Sequence, residues 1–341
     1  MSQIFGASFR QEILSPYKEC RTLVTGGLGF VGSHMARALV QAGAHVTILD
    51  ARVDGLGAND FNIHDIRDRV RLIEGRLGDA GKAAEALTGC THVFNLAGQV
   101  SHIDSMTHPL DDLELNYSDH LTFLETLRHV CPQARVVYAG TRQVYGAPKT
   151  LPIREDHIVQ PVDLNGISKY AAEWAHILYH RVYGVQACSL RLTNTYGPGQ
   201  LIRHNRQGFL PWFVRRAVEG QEIELYGGGT QTRDLNHVSD VVEAFLLAAM
   251  HPNAVGGIFN LGHRETVSLE AIATTLQEFC PQAKVKKIPF PDEKKRIDLG
   301  STQCDFTKIQ SLLGWSPRVM MKDGLRQMAE FYQSHLRYYL P

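Results

Sequence analysis

The eight residues Thr25–Gly32 carry the densest chemical signal in the chain, reading Thr-Gly-Gly-Leu-Gly-Phe-Val-Gly. Gly26, Gly29 and Gly32 keep the spacing of a turn that receives a dinucleotide. The first permits a tight bend, the second lets backbone approach a pyrophosphate, and the third lets a helix pack on a strand. The free N–H groups and positive dipole end of the helix that follows then face the phosphates. Asp50 adds an acid at the tip of the next strand, where a carboxylate suits ribose hydroxyls.

These residues need a strand, a helix and a second strand to position them. Thr22–Val24 is a short apolar run, Val31–Gln41 has helical period and closes at Gly43, and Val46–Leu49 ends in Asp50. Further strand signals fall at Val70–Glu74, His92–Leu96, Arg135–Ala139 and Gln186–Leu192. Helical signals fall between them at Lys82–Leu87, Leu110–Val130 and Ser168–Tyr183, ended by Gly89, Cys131-Pro132 and Gly184. Such alternation predicts an α/β fold, a doubly wound parallel (Rossmann) sheet. Ligands in such sheets lie beyond the carboxyl ends of the strands. Asp50, Gly98, Thr141 and Asn194 all fall at strand ends and should converge on one crevice.

After Asn194 the texture changes at Tyr196-Gly197-Pro198-Gly199, and Gly227-Gly228-Gly229 makes another turn. Asp240–Met250 reads as a helix and Ile258–Leu261 as a strand that rejoins the sheet. Ser268 caps a helix to Phe279, and Lys322–Tyr332 is a last amphipathic helix. We therefore expect a loosely attached arm over 1–18 and a dinucleotide-binding domain over 19–193 plus about 236–262. A smaller, discontinuous C-terminal substrate lobe takes 194–235 plus about 263–341.

At 341 residues the chain can bury a sizeable core. Lys+Arg and Asp+Glu balance at 35 each, so no basic surplus points to nucleic acid. The apolar runs are short and interrupted, which speaks against a membrane span, and the first residues lack a signal-peptide pattern. Six scattered cysteines make no Cys-x-x-Cys pair. Free thiols in a reducing cytoplasm fit them better than disulfides or a metal site.

From Arg21 to about Pro317 the chain resembles the extended short-chain dehydrogenase/reductase family, the NAD-dependent sugar-nucleotide epimerases and dehydratases. The matching pieces stand in order: Thr25–Gly32, Asp50, Asn95-Leu96-Ala97-Gly98, Ser105 with Pro109, Asn116, and Thr141 with Val144-Tyr145-Gly146. Ser168-Lys169, Arg191 with Asn194 and Tyr196-Gly197-Pro198, Arg233-Asp234 with Val238 and Asp240, and Leu313-Gly314-Trp315 follow. The resemblance implies NAD as cofactor, and Asp50 suits NAD while repelling the extra phosphate of NADP. Arg52 is the one residue nearby that would favour NADP. The resemblance further implies backbone contacts from Phe30 and Val31 to pyrophosphate and from Leu96, Ala97 and Gly98 along the cofactor, with Leu77, Asn116 and Thr193 beside it. Where many members have an acid after the glycine closing strand three, this chain has Gly75-Arg76-Leu77. Arg76 either stacks on adenine or is a surface charge.

The chemistry of the resembling enzymes needs a Ser or Thr on the reacting hydroxyl, a Tyr that takes its proton, and a Lys one turn on that grips the nicotinamide ribose. Thr141 matches the first and Lys169 the third, but Asn165 stands where the Tyr is expected. An amide neither gives nor takes a proton near neutral pH. His102, in the loop after strand four, is the preferred replacement, because imidazole titrates near neutrality. It competes with a histidine of no role, with Tyr145, Tyr170 and His204, and with ordered water held by Asn165 and Thr141. Arg142-Gln143 replaces the Asp-Glu pair of 4,6-dehydratases, which disfavours that reaction.

On the substrate side Arg142 offers a fixed charge suited to a carboxylate or phosphate, or else is exposed and idle. The resemblance puts Arg233 on the nucleotide diphosphate, with Lys295 or Arg296 as a second contact, and Asn194 beside the substrate. Phe209 and Tyr226 either sandwich the nucleotide base or serve the core. Arg203-His204-Asn205-Arg206 either lines the sugar entrance or is a solvated loop. Helices 110–130 and 168–183, with Trp174, Ile177, Leu178 and Val182 as a stripe, resemble a four-helix homodimer interface. The expected function is epimerisation of a nucleotide sugar through transient hydride transfer to retained NAD. One-way oxidation or reduction of a sugar or cyclitol is the near variant, and a non-catalytic NAD and sugar-nucleotide binding protein the rival.

Overall fold

The computed structural model describes residues 5, 9–290 and 299–340. The strands of the large sheet are β1 (Arg21–Thr25), β2 (His45–Asp50), β3 (Val70–Glu74), β4 (His92–Asn95), β5 (Arg135–Thr141) and β6 (Gln186–Leu192), joined later by β10. Between and after come β7 (Asn194–Tyr196), β8 (Glu222–Tyr226), β9 (Thr232–His237), β10 (Ile258–Asn260), β11 (Thr266–Ser268) and β12 (Lys284–Ile288). The seven-stranded sheet runs β10-β6-β5-β4-β1-β2-β3. Every pair in it is parallel.

The strands read as apolar runs because both faces are covered. Helices Phe30–Ala42 and Val238–Met250 pack on one face, with Val24, Phe94 and Val137 in the shared core. Helices Ala80–Leu87, Asp119–Val130 and Leu164–Tyr183 cover the other, around Leu23, Val93 and Val136. Strand order reverses between β4 and β1, and at such a switch point the flanking connections diverge and leave a crevice. A buried ion pair fastens helix Leu164–Tyr183 to the sheet: Arg191 Nη2 lies 2.6 Å from Glu173 Oε1. Arg191 Nη1 also donates to the Tyr145 hydroxyl at 2.6 Å.

In the small lobe β11, β9 and β7 form one sheet and β12 pairs with β8. Helices Phe209–Val218, Leu269–Phe279 and Met321–His335 close its core around Leu210, Ile272 and Leu325.

Two stretches differ from the sequence expectation. The arm is not loose over 9–17: Phe9, Ile13, Leu14 and Tyr17 are buried, and the Tyr17 hydroxyl donates to the Leu246 carbonyl at 2.6 Å. Its apolar residues recur at helical spacing, a signal hidden by their polar neighbours. Ile309, Leu313 and Trp315 pack into the core of the large sheet, not the small lobe. Trp315 Nε1 donates to the Asp240 carbonyl at 2.8 Å, which ties the Leu-Gly-Trp turn to helix Val238–Met250.

The six cysteines are free, and all but Cys20 are buried. No helix among the described residues is long and apolar enough to cross a membrane.

Candidate active site

One cleft of about 350 Å³ runs across the carboxyl ends of β2, β1, β4, β5 and β6. The glycine turn forms its floor. Gly26 sits at φ +66°, and a Cβ on Gly32 would lie 2.1 Å from the Gly26 carbonyl oxygen. Only glycine fits at Gly32, because the helix starts in contact with the turn. Gly29 caps helix Phe30–Ala42, so the Phe30 and Val31 N–H groups open into the cleft. Thr25 Oγ1 accepts from the Leu96 and Ala97 N–H groups at 2.9 and 3.1 Å, which locks the β1 and β4 ends together.

Asp50 Oδ2 accepts from Leu28 N–H and Oδ1 from Arg52 N–H, both at 2.9 Å. Burial pushes its carboxyl up, against those two bonds. It lines the cleft with lone pairs left for ribose hydroxyls. The Arg52 guanidinium stands outside the cleft, held by both oxygens of Asp60 at 2.8 Å and by Glu74 at 3.1 Å. That removes the one residue that favoured a 2′-phosphate.

Arg76 lines the cleft beside Leu77 and is paired with two carboxylates. Its Nε and Nη2 donate to Asp119 Oδ2 at 3.1 Å, and Nη2 lies 2.9 Å from Glu114 Oε1. Asp119, which the sequence did not single out, thus brings a carboxylate to this end of the cleft. Burial pushes that carboxyl up, opposed by Arg76.

Gly98 is at φ +143°, and a Cβ there would lie 2.6 Å from Asn116 Oδ1 and 3.2 Å from Lys169 Nζ. Asn116 lies behind it on an i→i+5 turn, Glu114–Ser118, that interrupts the long helix. Its Oδ1 accepts from Gln99 N–H at 3.0 Å and its Nδ2 donates to Asp112 Oδ2 at 2.9 Å. Lys169 is buried at the cleft wall. Burial lowers its ammonium to about 8, opposed by the charge of Asp112.

Asn165 also lines the cleft, but its Nδ2 is committed. It donates to the Gln99 carbonyl at 2.9 Å and to Asp112 Oδ2 at 3.0 Å. His102 opens a short helix, His102–Thr107, capped by Ser101 Oγ on Asp104 N–H at 3.0 Å. The helix stands where the sequence predicts a loop, although Ser-x-x-Asp is a capping signal. His102 Nδ1 bonds to Asp163 Oδ2, and its Nε2 meets Gln143 Nε2. A carboxylate only accepts, so Nδ1 carries the proton and Nε2 accepts from the Gln143 amide. Asp163 Oδ1 in turn caps helix Leu164–Tyr183, accepting from Gly166 N–H at 2.7 Å. Gln143 N–H donates to Thr141 Oγ1 at 3.2 Å, so Gln143 links threonine and imidazole.

The other proposed proton carriers fall away from this group. Tyr145 is buried with its hydroxyl on Asn260 Oδ1 at 2.7 Å, and burial pushes that hydroxyl up. His204 bonds to the Gly55 carbonyl at 3.2 Å. Neither these two nor Tyr170 lines the cleft.

Arg142 is 7 % exposed, so it is not an idle surface charge. It lines the cleft together with Thr193, Asn194 and, at the small-lobe rim, Phe209. Tyr226 and Arg233 lie outside the lining; Tyr226 packs near Phe290, ring centroids 5.8 Å apart, and Arg233 Nη1 donates to the Thr232 carbonyl at 2.9 Å. Lys295 and Arg296 fall outside the described residues. The Arg203–Arg206 run ties the lobe to the cleft mouth, with Arg206 3.2 Å from Asp104. Among the described residues no three His, Cys, Asp or Glu side chains gather to hold a metal ion.

Comparison with known proteins agrees with this geometry. Residues 22–262 match the NAD dependent epimerase/dehydratase family. A putative UDP-glucose 4-epimerase of Methanocaldococcus jannaschii is 29 % identical over 319 residues, covering 92 % of this chain and 99 % of the relative. A solved UDP-glucose 4-epimerase of Thermotoga maritima, with UDP-glucose, superposes with TM-score 0.84 at 28 % identity, covering 93 % and 99 % of the two chains. A dTDP-glucose 4,6-dehydratase of Streptomyces venezuelae, with NAD bound, gives 0.83 at 27 % identity over 94 % and 98 %. The chain belongs to the NAD-dependent epimerase/dehydratase family, and its glycine turn, Asp50 and Lys169 are the residues fit to hold that cofactor.

Proposed function

We propose that the chain is an epimerase-type enzyme of a nucleotide sugar in which His102 moves the proton at the reacting hydroxyl. When bound, NAD supplies reversible hydride acceptance from a sugar carbon, so that return to the other face inverts that centre. Thr141 Oγ1 holds the reacting hydroxyl. The neutral imidazole takes the hydroxyl proton at Nε2, while Asp163 fixes Nδ1–H and steadies the imidazolium that forms. The same Nε2–H returns the proton when the carbonyl is reduced. Gln143 keeps the ring in place until a sugar hydroxyl takes over its contact with Nε2. Lys169 grips the nicotinamide ribose from the buried side.

At position 165 the resemblance expects the tyrosine, and the amide found there cannot do its work. Asn165 instead fastens the Gln99 backbone to Asp112. The observation that carries the reading is the imidazole held between Asp163 and Gln143, whose backbone N–H bonds Thr141 Oγ1. The test is incubation of NAD-loaded protein with UDP-, GDP-, CDP- and dTDP-sugars. Turnover that survives His102→Ala and Thr141→Ala together removes the mechanism. Accumulating NADH favours one-way oxidation, and tight sugar-nucleotide binding with no turnover favours a non-catalytic protein.

We infer a homodimer through helices 110–130 and 168–183. Leu110, Leu113, Leu178 and Val182 are exposed there, 45–76 % each, and neighbouring exposed apolar groups favour association with a second copy. Ile177 of the expected stripe is buried and faces the core. The free thiols suit a reducing cytoplasm.

A further inference from the structure

Arg142 is a charged cleft residue to which the proposed chemistry gives no task. It is 93 % buried, being 7 % exposed, and it lines the cleft. Among the described residues its guanidinium has no hydrogen bond and no ion pair, and Nη1 is fully buried without a partner. A buried guanidinium whose donors are unmet is costly, and an anion that accepts from it removes the cost. Two carboxylates act on it through space, Asp163 and Asp234. Both are already committed: Asp163 to His102 and Gly166, Asp234 to the Thr193 hydroxyl at 2.8 Å and to Cys304 N–H at 2.9 Å. They offset the charge of Arg142 but leave its N–H groups free.

A second unmet donor faces the same cleft. Asn194 Nδ2 is buried with no partner among the described residues. Parallel pairing of β5 with β6 sets Thr141 beside Leu192, so Arg142 and Asn194 leave adjacent strand ends. Arg142 also lies between Thr141 and Gln143 in the chain, and Gln143 bonds the proton-transferring imidazole, which favours the sugar ring as the carrier of the anion.

We propose that Arg142 and Asn194 form an anion subsite for a carboxylate carried by the sugar ring, so that the substrate is a nucleotide-linked uronic acid. This rests on the nucleotide-sugar reading above and narrows it. One carboxylate oxygen accepts from Arg142 and the other from Asn194, a charge-assisted pair that a neutral hydroxymethyl group cannot match.

The test is calorimetric titration of NAD-loaded protein with UDP, UDP-glucose and UDP-glucuronate, in wild type, Arg142→Gln and Arg142→Lys. UDP-glucuronate should bind wild type roughly 10- to 100-fold tighter than UDP-glucose. Arg142→Gln should bring that ratio to about one, and Arg142→Lys should keep part of it. A wild-type ratio of one or less, or no binding of UDP-glucuronate, overturns the proposal, and that arm decides if Arg142→Gln fails to fold. Loss of UDP affinity in Arg142→Gln by the same factor as UDP-glucuronate assigns Arg142 to the diphosphate and overturns it too. Acid-selective binding with no turnover of either sugar would leave the subsite standing while the epimerase reading falls.

Discussion

Asp163 joins His102 to the start of helix Leu164–Tyr183: one carboxylate oxygen bonds Nδ1 of the imidazole and the other accepts from Gly166 N–H at 2.7 Å. The ring is thereby anchored to the same helix that carries Lys169 and Asn165. Asp163→Asn keeps a good N-cap but loses the charge behind the imidazole. Initial rates on the turned-over sugar should fall about 10- to 100-fold, with a smaller loss of stability at neutral pH than Asp163→Ala, because the cap stays while the charge goes. Asp163→Ala should also lose about 1 kcal/mol of stability in denaturant melts through the missing cap.

The same carboxylate predicts a pH dependence. Burial alone would raise Asp163, but the bond and charge of His102, the Gly166 N–H and Arg142 outweigh it and hold the carboxyl below its usual range. A depressed carboxyl stabilises the fold above its unfolded pKa and loses that contribution as pH falls through the folded value. The stability gap between wild type and Asp163→Ala should therefore be full at pH 7 and shrink below about pH 4. Denaturant melts across pH 3–7 give the result, and a gap that widens on acidification contradicts it.

Lys169 has the opposite sign. Burial lowers its ammonium to about 8, so the fold holds a costly charge below that pH. As pH rises from about 8 towards the unfolded value near 10.4, the folded form gives up its proton and the cost is relieved. Lys169→Met should gain apo stability relative to wild type at pH 7, and the advantage should narrow by about 1–3 kcal/mol by pH 10. Thermal melts of both proteins at pH 7 and pH 10 measure it, alongside weaker NAD binding by the variant.

Cofactor choice rests on Asp50 and on the capture of Arg52 by Asp60 and Glu74. Asp50→Ser should weaken NAD about 10- to 100-fold by removing charge-assisted acceptors for the ribose. Asp60→Ala with Glu74→Ala frees Arg52, and adding Asp50→Ser should then move preference towards NADP. Equilibrium dialysis with each cofactor reads both effects.

Asn165→Tyr tests whether the amide is a simple loss. Asn165 is 1 % exposed and bonded to the Gln99 carbonyl and Asp112. A phenol there breaks both bonds and leaves Asp112 Oδ2 with Asn116 Nδ2 alone, so stability should drop by about 1–3 kcal/mol and turnover should not rise. A gain in turnover on ordinary UDP-hexoses would mean that the site still awaits its tyrosine.

The sheet was legible because parallel strands buried on both faces are short continuous apolar runs, as at Val46–Leu49 and Val136–Val137. The glycine turn was legible because backbone contact leaves only one residue type at Gly32. The partners of the site side chains were not. Arg76 meets Asp119, 43 positions on, and the charge of Arg142 acts on Asp234 through space; one sequence carries no signal for such pairs. Nothing in the pair Asp111-Asp112 marks one acid as buried, yet Asp112 is 1 % exposed and holds Asn116 and Asn165. The sequence signal starts that helix at Ser168, whereas Asp163 caps it from Leu164, and the second Asp163 oxygen could be assigned to His102 only once the fold brought positions 102 and 163 together.

The proposed mechanism gives His102 the proton transfer at the reacting hydroxyl. Steady-state turnover of the accepted nucleotide sugar by His102→Ala, with and without added imidazole, tests it most directly. A fall of about 100- to 10,000-fold, partly recovered by imidazole while NAD still binds, is the predicted result. Turnover by His102→Ala at the wild-type rate would contradict it.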